Sequence, residues 1–416
     1  MKDLMNPDTL PVKLFTSWAE WKDIKMIDVV IVSATRTPIG DFGGSLKDVS
    51  ATSLAMTVIE SSIQRANIDK KGVEQVIMGN CFEPLDQNVA RIASVKSGLP
   101  LETPAFTIVV NCASGMQAII CGTQAIRDGD VDAVIAGGVE SMSNAPYILT
   151  TTRWGQRLQH GQLIDMLWRA MQEYPIGAGM GLTAENLAEK YGISREEQDQ
   201  FSLISQQRAC KAIQEGRFKD EITPVSIPQK KGEAKIVDTD EHPRPDTTLE
   251  KLGKLLPAFK KGGTVTAGNS SGLNDAAAVT LLMSREKAKK MGLKPLARIL
   301  GYAIVGVDPS YMGIGPIPAT RRVLSKAGLS LKDIQLIEIN EAFAAQYLAC
   351  EKELGLDRNI VNVNGSGIAL GHPVGATGCR LVVTLIHEMA KRDLTLGLAT
   401  LCVGGGMGFA VLVERE

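Results

Sequence analysis

From Met26 onward, short runs of β-branched and other apolar residues alternate with stretches in which apolar positions recur every three or four residues. The first pattern is that of buried strands and the second that of amphipathic helices, so the chain reads as α/β. The spacing predicts strands at 29–32 and 75–78 around a helix at 51–66. The clearest unit follows: a buried strand at 106–110, a turn at 111–115, a helix at 116–128 stopped by Gly129, and a strand at 131–136 ending in Gly137-Gly138. The C-terminal part repeats this grammar. A strand at 334–339 ends at Asn340 and a second lies at 361–363; a glycine-rich turn, a helix over 378–391, a strand at 397–402 ending in Gly404-Gly405-Gly406, and a last strand at 408–413 complete it. Strand, special turn, helix and a strand running into glycines occur in both halves, which predicts a duplicated α/β unit.

Between the halves, over about 147–262, the pattern degrades. A helical run at 183–215 and a stretch rich in Lys, Asp, Glu and Pro around 230–246 predict an inserted, largely surface region packed beside the core. The predicted organisation is an N-terminal extension over 1–25, a first half over 26–295 that contains the insert, and a second half over 296–416.

Composition narrows the function classes. Lys plus Arg number 45 and Asp plus Glu 46, a net charge of −1, which gives no global electrostatic reason to bind nucleic acid or an anionic membrane. No run of about 18 apolar residues marks a membrane-spanning helix. The seven cysteines are widely spaced without a C-x-x-C pair, which argues against a disulfide framework or a zinc site and for free thiols in a reducing compartment. Residues 1–25 hold four lysines, four acids and no arginine, unlike a signal or transit peptide, so the expected location is cytoplasmic.

Five motifs carry candidate chemistry. Cys112, in Asn111-Cys112-Ala113-Ser114-Gly115, stands where a strand meets a helix, and unpaired N–H groups at a helix N-terminus favour thiolate. His372 is one of four histidines and sits among glycines 365, 367, 371, 375 and 378, where backbone can approach a ligand closely. Cys402 precedes three glycines whose N–H groups suit an oxyanion site. Asn340-Glu341-Ala342-Phe343-Ala344 lies at the C-terminal end of a strand, where ligands of open α/β sheets gather. Residues 263–275 are small and hydroxylated, fit to hold an extended polar ligand against backbone.

In order and approximate spacing, these five motifs resemble those of the thiolase family, and the likeness runs from Met26 nearly to the end of the chain. The resemblance implies a duplicated five-layered α-β-α-β-α fold with an inserted loop domain. It implies acyl transfer between coenzyme A thioesters by Claisen condensation or thiolysis through an S-acyl cysteine, with acetyl-CoA and acetoacetyl-CoA as the expected pair. By position, Cys112 is the expected nucleophile and Cys402 the acid/base that moves the α-proton. His372 is expected to activate Cys112 and, with a water held by Asn340, to stabilise the enolate oxygen. The N–H groups of Cys112 and Gly404 would form a second oxyanion hole. Arg244 would meet the phosphates of coenzyme A and Ser271 its pantetheine arm; Phe259 and Met312 would lie near the ligand, and Met180 and Phe343 near the acyl group. No metal or other cofactor is implied beyond the acyl-CoA and CoA substrates, and the family implies a homodimer or homotetramer.

Some positions depart from the family pattern. Short-chain members usually carry His-Met-Gly where this chain has Gly179-Met180-Gly181, and loss of that ring would open the acyl end to longer chains, as in a 3-ketoacyl-CoA thiolase of β-oxidation. Ala145-Pro146-Tyr147 and Arg153-Trp154-Gly155 resemble the short-chain type instead. Ser366 and Met407 replace a common Gly and Gln. A decarboxylating ketosynthase would need a second active-site histidine where this chain has Asn340 and Cys402. A non-catalytic acyl-CoA-binding scaffold tends to lose a reactive group, and all four are present. The thiolase reading also requires the two sulfurs to converge on one thioester with both open to it.

Overall fold

The computed structural model describes residues 27–158 and 160–416, and nine of the strands in its central sheet carry the fold; the expected N-terminal extension lies outside the described residues. In the first half these are β1 (Val29–Arg36), β2 (Gln75–Gly79), β3 (Ala105–Ile108), β4 (Ala133–Ser141) and β5 (Asn274–Ser284). In the second they are β6 (Ala297–Gly306), β7 (Leu336–Ile339), β8 (Leu396–Val403) and β9 (Met407–Arg415). β1 pairs antiparallel with β5, β5 antiparallel with β4, β4 parallel with β2, and β2 parallel with β3. The second half repeats this succession from β6 through β9 and β8 to β7, and a parallel bridge between Ile337 and Val361 stands in for the fifth strand. The duplication read from the sequence is therefore a duplication of topology. β1 and β6 join the halves through the pairs Val30–Arg298 and Ile31–Ala297.

Period-two burial on both sides of each strand sets the layers. In β9, Phe409, Val411 and Val413 face one core while Ala410 and Leu412 face another; in β4, Val134 and Ala136 face inward while Ala133 and Ile135 face outward. The inner faces of both halves share a core with two central helices, α2 (Ser114–Arg127) and α7 (Val374–Arg392). α1 (Ala51–Ala66) covers the outer face of the first half, and α5 (Pro316–Ala327) with α6 (Ala344–Leu354) covers that of the second. Five layers result. α7 is buried around almost its whole circumference, as a helix between two sheets must be.

Some local expectations shift. Gly137 and Gly138 do not end a strand; they lie inside β4, with Gly138 packed against α7. β3 is an edge strand with Phe106 39% and Val109 67% exposed nearby, not a buried one. The helical run of the insert is two helices, α3 (Met180–Tyr191) and α4 (Arg195–Gln214); Gly192 stops the first in a left-handed turn and a Ser194–Glu197 capping box starts the second. The insert is also less superficial than its composition suggests. Leu187 and Phe201 pack into the outer core of the second half, and buried Arg36 of β1 is clamped by Glu221 (2.6 Å) and Asp240 (2.7 Å).

Candidate active site

A single 3-10 turn, Asn111–Ala113, joins β3 to α2 and presents Cys112. Asn111 has a left-handed φ of 45°, and the Ser114 hydroxyl closes the turn by accepting from the Val110 N–H and donating to the Asn111 carbonyl, each at 2.8 Å. The backbone N–H groups of Gly404 and of Cys112 itself point at the Cys112 sulfur. Burial nevertheless outweighs both donors and pushes the thiol up to about 11. The helix N-terminus thus leaves a neutral thiol at pH 7 rather than the thiolate expected from sequence, because desolvation outweighs the local dipole.

His372 occupies the corresponding position before α7. Gly371, with φ of 100°, turns the chain there; a Cβ on it would lie 2.4 Å from the side chain of Asn274. Asn274 Oδ1 accepts from the His372 N–H at 2.9 Å while its Nδ2 donates to the Gly40 carbonyl at 3.0 Å. The Thr377 hydroxyl donates to the Pro373 carbonyl (2.8 Å) and so accepts from His372 Nδ1 (2.6 Å). That fixes the tautomer with hydrogen on Nδ1 and leaves Nε2 bare, buried and without a partner among the described residues. Burial, aided by the charge of Arg380, pulls His372 down to about 3, so the ring is neutral.

The two turns meet because α2 and α7 cross with almost no side-chain spacer. A Cβ on Gly115 would lie 2.9 Å from the Gly375 carbonyl, and one on Gly138 would lie 2.0 Å from it. Glu140 ties the junction together by accepting from the N–H groups of Gly375 (2.8 Å), Cys81 (3.1 Å) and Phe82 (3.1 Å) and from Asn80 Nδ2 (3.1 Å). Burial still pushes its carboxyl up to about 7.

The remaining predicted residues divide into those that line the site and those behind it. A cavity of about 740 Å³ is lined by Cys112, His372, Arg244, Ser271, Phe259, Met180, Met312 and Phe343. That size suits a drug-sized or larger ligand. Phe259 and Phe343 form an edge-to-face pair with centroids 6.0 Å apart on its wall; the exposed Arg244 also lines it, and Lys251 there pairs with Asp246 at 2.6 Å. Gly404, at the start of the β8–β9 hairpin, lies beneath this lining, with a Cβ position 3.0 Å from the Met180 sulfur. Asn340 is fully buried, and both atoms of its amide are unpartnered among the described residues. Cys402 lies near the end of β8, which packs against the turn that carries Cys112, and burial pushes its thiol well up. It is also 0% exposed, because it faces the outer core of the second half. The condition that both sulfurs be open to the ligand therefore holds for Cys112 and fails for Cys402.

The model of the thiolase N-terminal domain matches residues 29–286, and that of the thiolase C-terminal domain matches residues 293–415. The chain belongs to the thiolase family. It is 55% identical over 397 residues to the acetyl-CoA acetyltransferase of Pseudomonas aeruginosa, a match spanning 94% of this chain and all of that one. It is 51% identical over 393 residues to the acetyl-CoA acetyltransferase of Escherichia coli, with the same coverage. Among solved structures, Bacillus anthracis acetyl-CoA acetyltransferase superposes with a TM-score of 0.92 at 52% identity, covering 94% of this chain and 99% of that one. Human mitochondrial 3-ketoacyl-CoA thiolase in complex with CoA superposes with 0.90 at 45% identity, covering 94% and 98%.

Against the thiolase pattern, Gly179 opens no space. A Cβ there would lie 2.8 Å from the Gln172 carbonyl, so the Gln172 backbone occupies the room a side chain would need. Sequence reading also passed over Glu140, Tyr174 and the Asp41–His242 contact on the cavity wall, and it gave Asn274, within the 263–275 motif, no part in holding His372. Each acts through a partner remote in the chain. Thr377, one helical turn from His372, carried the only local signal. Among the described residues no cluster of His, Cys, Asp or Glu suits a metal ion, and no helix is long and apolar enough to cross a membrane.

Proposed function

We propose that this thiolase is an acetyl-CoA C-acetyltransferase, interconverting two acetyl-CoA with acetoacetyl-CoA and CoA. The observation that carries the reading is that Cys112 and His372, the latter with its Nε2 bare, line one cavity that Arg244 also lines. The Cys112 thiol passes its proton to Nε2 as its sulfur attacks the thioester carbonyl. The N–H groups of Cys112 and Gly404 receive the developing oxyanion, and such a donor is worth about 3 kcal/mol. Collapse expels CoA, which takes its proton from the Cys402 thiol, and leaves S-acetyl-Cys112, a protonated Nε2 and a Cys402 thiolate. In the condensation half, the Cys402 thiolate removes the α-proton of a second acetyl-CoA, and the enolate oxygen accepts from the Nε2 hydrogen and from a water held by Asn340. The carbanion then attacks S-acetyl-Cys112 and frees its sulfur, which takes back the proton from Nε2. The packing of the end of β8 against the turn that carries Cys112 supports the role of Cys402.

Arg244 takes the phosphates of CoA in this reading, Ser271 the pantetheine arm, Phe259 and Met312 the ligand's apolar flank, and Met180 and Phe343 the acyl group. The substrates supply the chemistry without a further cofactor. The halves 26–295 and 296–416 are proposed as the two domains, with 147–262 as the insert of the first. A cytoplasmic homodimer or homotetramer completes the proposal; the exposed edge of β3, with Phe106 and Val109, supports an oligomer.

Thiolysis of a series from acetoacetyl-CoA to 3-oxohexadecanoyl-CoA tests the reading. The reading predicts that kcat/KM is highest for acetoacetyl-CoA and falls with length. A rise with length would favour the β-oxidation enzyme, and binding without turnover would favour the scaffold.

A further inference from the structure

The segment that replaces the family's usual His-Met-Gly approach delivers a group that the mechanism above does not use. Asn111 Nδ2 donates both of its hydrogens, one to the Gly404 carbonyl at 2.8 Å and one to the Tyr174 hydroxyl at 2.9 Å. Tyr174 lies flat against the glycine turn: a Cβ on Gly405 would meet its hydroxyl at 3.1 Å and its ring at 3.4 Å. The segment is anchored from the other side, where a Cβ on Gly177 would lie 2.7 Å from Pro309, the residue that also backs Gly406. Tyr174 is thus held by its surroundings and in turn holds Asn111.

Gly404 has soft backbone dihedrals, and its N–H must point at the Cys112 sulfur. The strand side of this glycine is pinned by pairing of Val403 with Met407. Its other side is pinned through its carbonyl, by Asn111 alone among the described side chains. Asn111 also precedes Cys112 directly and sits in the left-handed region, so rotation of its amide acts on both partners of the acyl-transfer site.

We propose that Tyr174 is a positioning residue for acyl transfer: its hydroxyl orients the Asn111 amide, which fixes the Gly404 peptide against Cys112. Without the hydroxyl, one amide hydrogen is left unpaired and the amide is free to turn. The proposal rests on the reading of Cys112 as the acylated residue.

The test measures the rate of S-acetyl formation from acetyl-CoA by quenched-flow mass spectrometry on the full chain, beside steady-state KM and thermal midpoint. Tyr174→Phe keeps the ring and removes only the hydroxyl. The expected result is acylation slowed about tenfold, the effect of a small misplacement of a reacting group, with KM for acetyl-CoA and the midpoint unchanged. Asn111→Gly, tolerated by the left-handed backbone, should slow acylation similarly, and adding Tyr174→Phe to it should cost nothing more. Wild-type rates in Tyr174→Phe, a loss confined to KM or the midpoint, or full additivity in the double variant would each overturn the proposal. If wild type formed no adduct at Cys112, the reading beneath it would fall as well.

Discussion

The hydroxyl of Thr377 stands 2.6 Å from Nδ1 of His372 and spends its own hydrogen on the Pro373 carbonyl. One side chain thereby dictates which nitrogen of the imidazole carries the proton and leaves the other bare, in a residue that lines the same cavity as Cys112. Second-sphere contacts of this kind set function as much as the groups that touch substrate.

Thr377→Val preserves the shape of the side chain and removes the acceptor for Nδ1–H. The tautomer is then free to switch, and kcat should drop about a hundredfold or more with little change in KM, the scale of general acid–base assistance. Steady-state thiolysis of acetoacetyl-CoA checks this; an unchanged kcat would mean that the ring is oriented by other contacts.

His372 also predicts a pH dependence of stability. Its ordinary value near 6.5 falls to about 3 in the folded chain, so the unfolded state binds a proton in this window that the native state does not. The contribution is complete above pH 6.5 and is lost as pH falls toward 3, at about 1.4 kcal/mol per pH unit for one proton. Denaturant midpoints measured between these limits should decline less steeply in His372→Gln than in wild type. Parallel curves would contradict a buried, neutral His372.

Gly138→Ala would place a methyl group 2.0 Å from the Gly375 carbonyl, at the point where β4 meets the start of α7. The helix must shift and carry His372 with it. Displacements near 1 Å cost about a hundredfold in rate, so activity should fall far more than stability. A variant with wild-type kcat would show that the close approach of the two central helices does not set the spacing of Cys112 and His372.

Arg36 shares with Arg380 the rank of largest fully buried side chain among the described residues and is neutralised by two acids from the insert, Glu221 and Asp240. Arg36→Ala leaves two carboxylates buried without their cation and should destabilise the chain by about 3–5 kcal/mol. Chemical denaturation followed by tryptophan fluorescence measures this. A loss below about 1 kcal/mol would mean that the insert is docked by its apolar contacts alone.

Much of the site was legible because its key residues carry local signatures. Cys112 and His372 both occupy glycine-rich turns into helices, and Gly404 opens a run of glycines between apolar strands. What escaped reading was set by distant partners. Asn111 looked like a flank of the cysteine motif until Tyr174 and Gly404 were found on its amide. Glu140 read as a strand residue, and only the fold brings the Gly375 N–H to it. The start of α7 at Val374 was placed four residues late, since Gly375 and Gly378 weaken helix propensity where close packing demands them. The ionisation of Cys112 and the sealing of Cys402 were illegible for one reason: burial belongs to the tertiary structure, and it outweighed the helix dipole that the sequence displays.

The most direct check is peptide mapping by mass spectrometry after a brief incubation of the full chain with acetyl-CoA. The account predicts one acetyl group on the peptide that carries Cys112 in wild type, its discharge on addition of CoA, and no adduct in Cys112→Ala. An acetyl group found on Cys402 or any other cysteine in wild type, or an adduct that persists in Cys112→Ala, would contradict it.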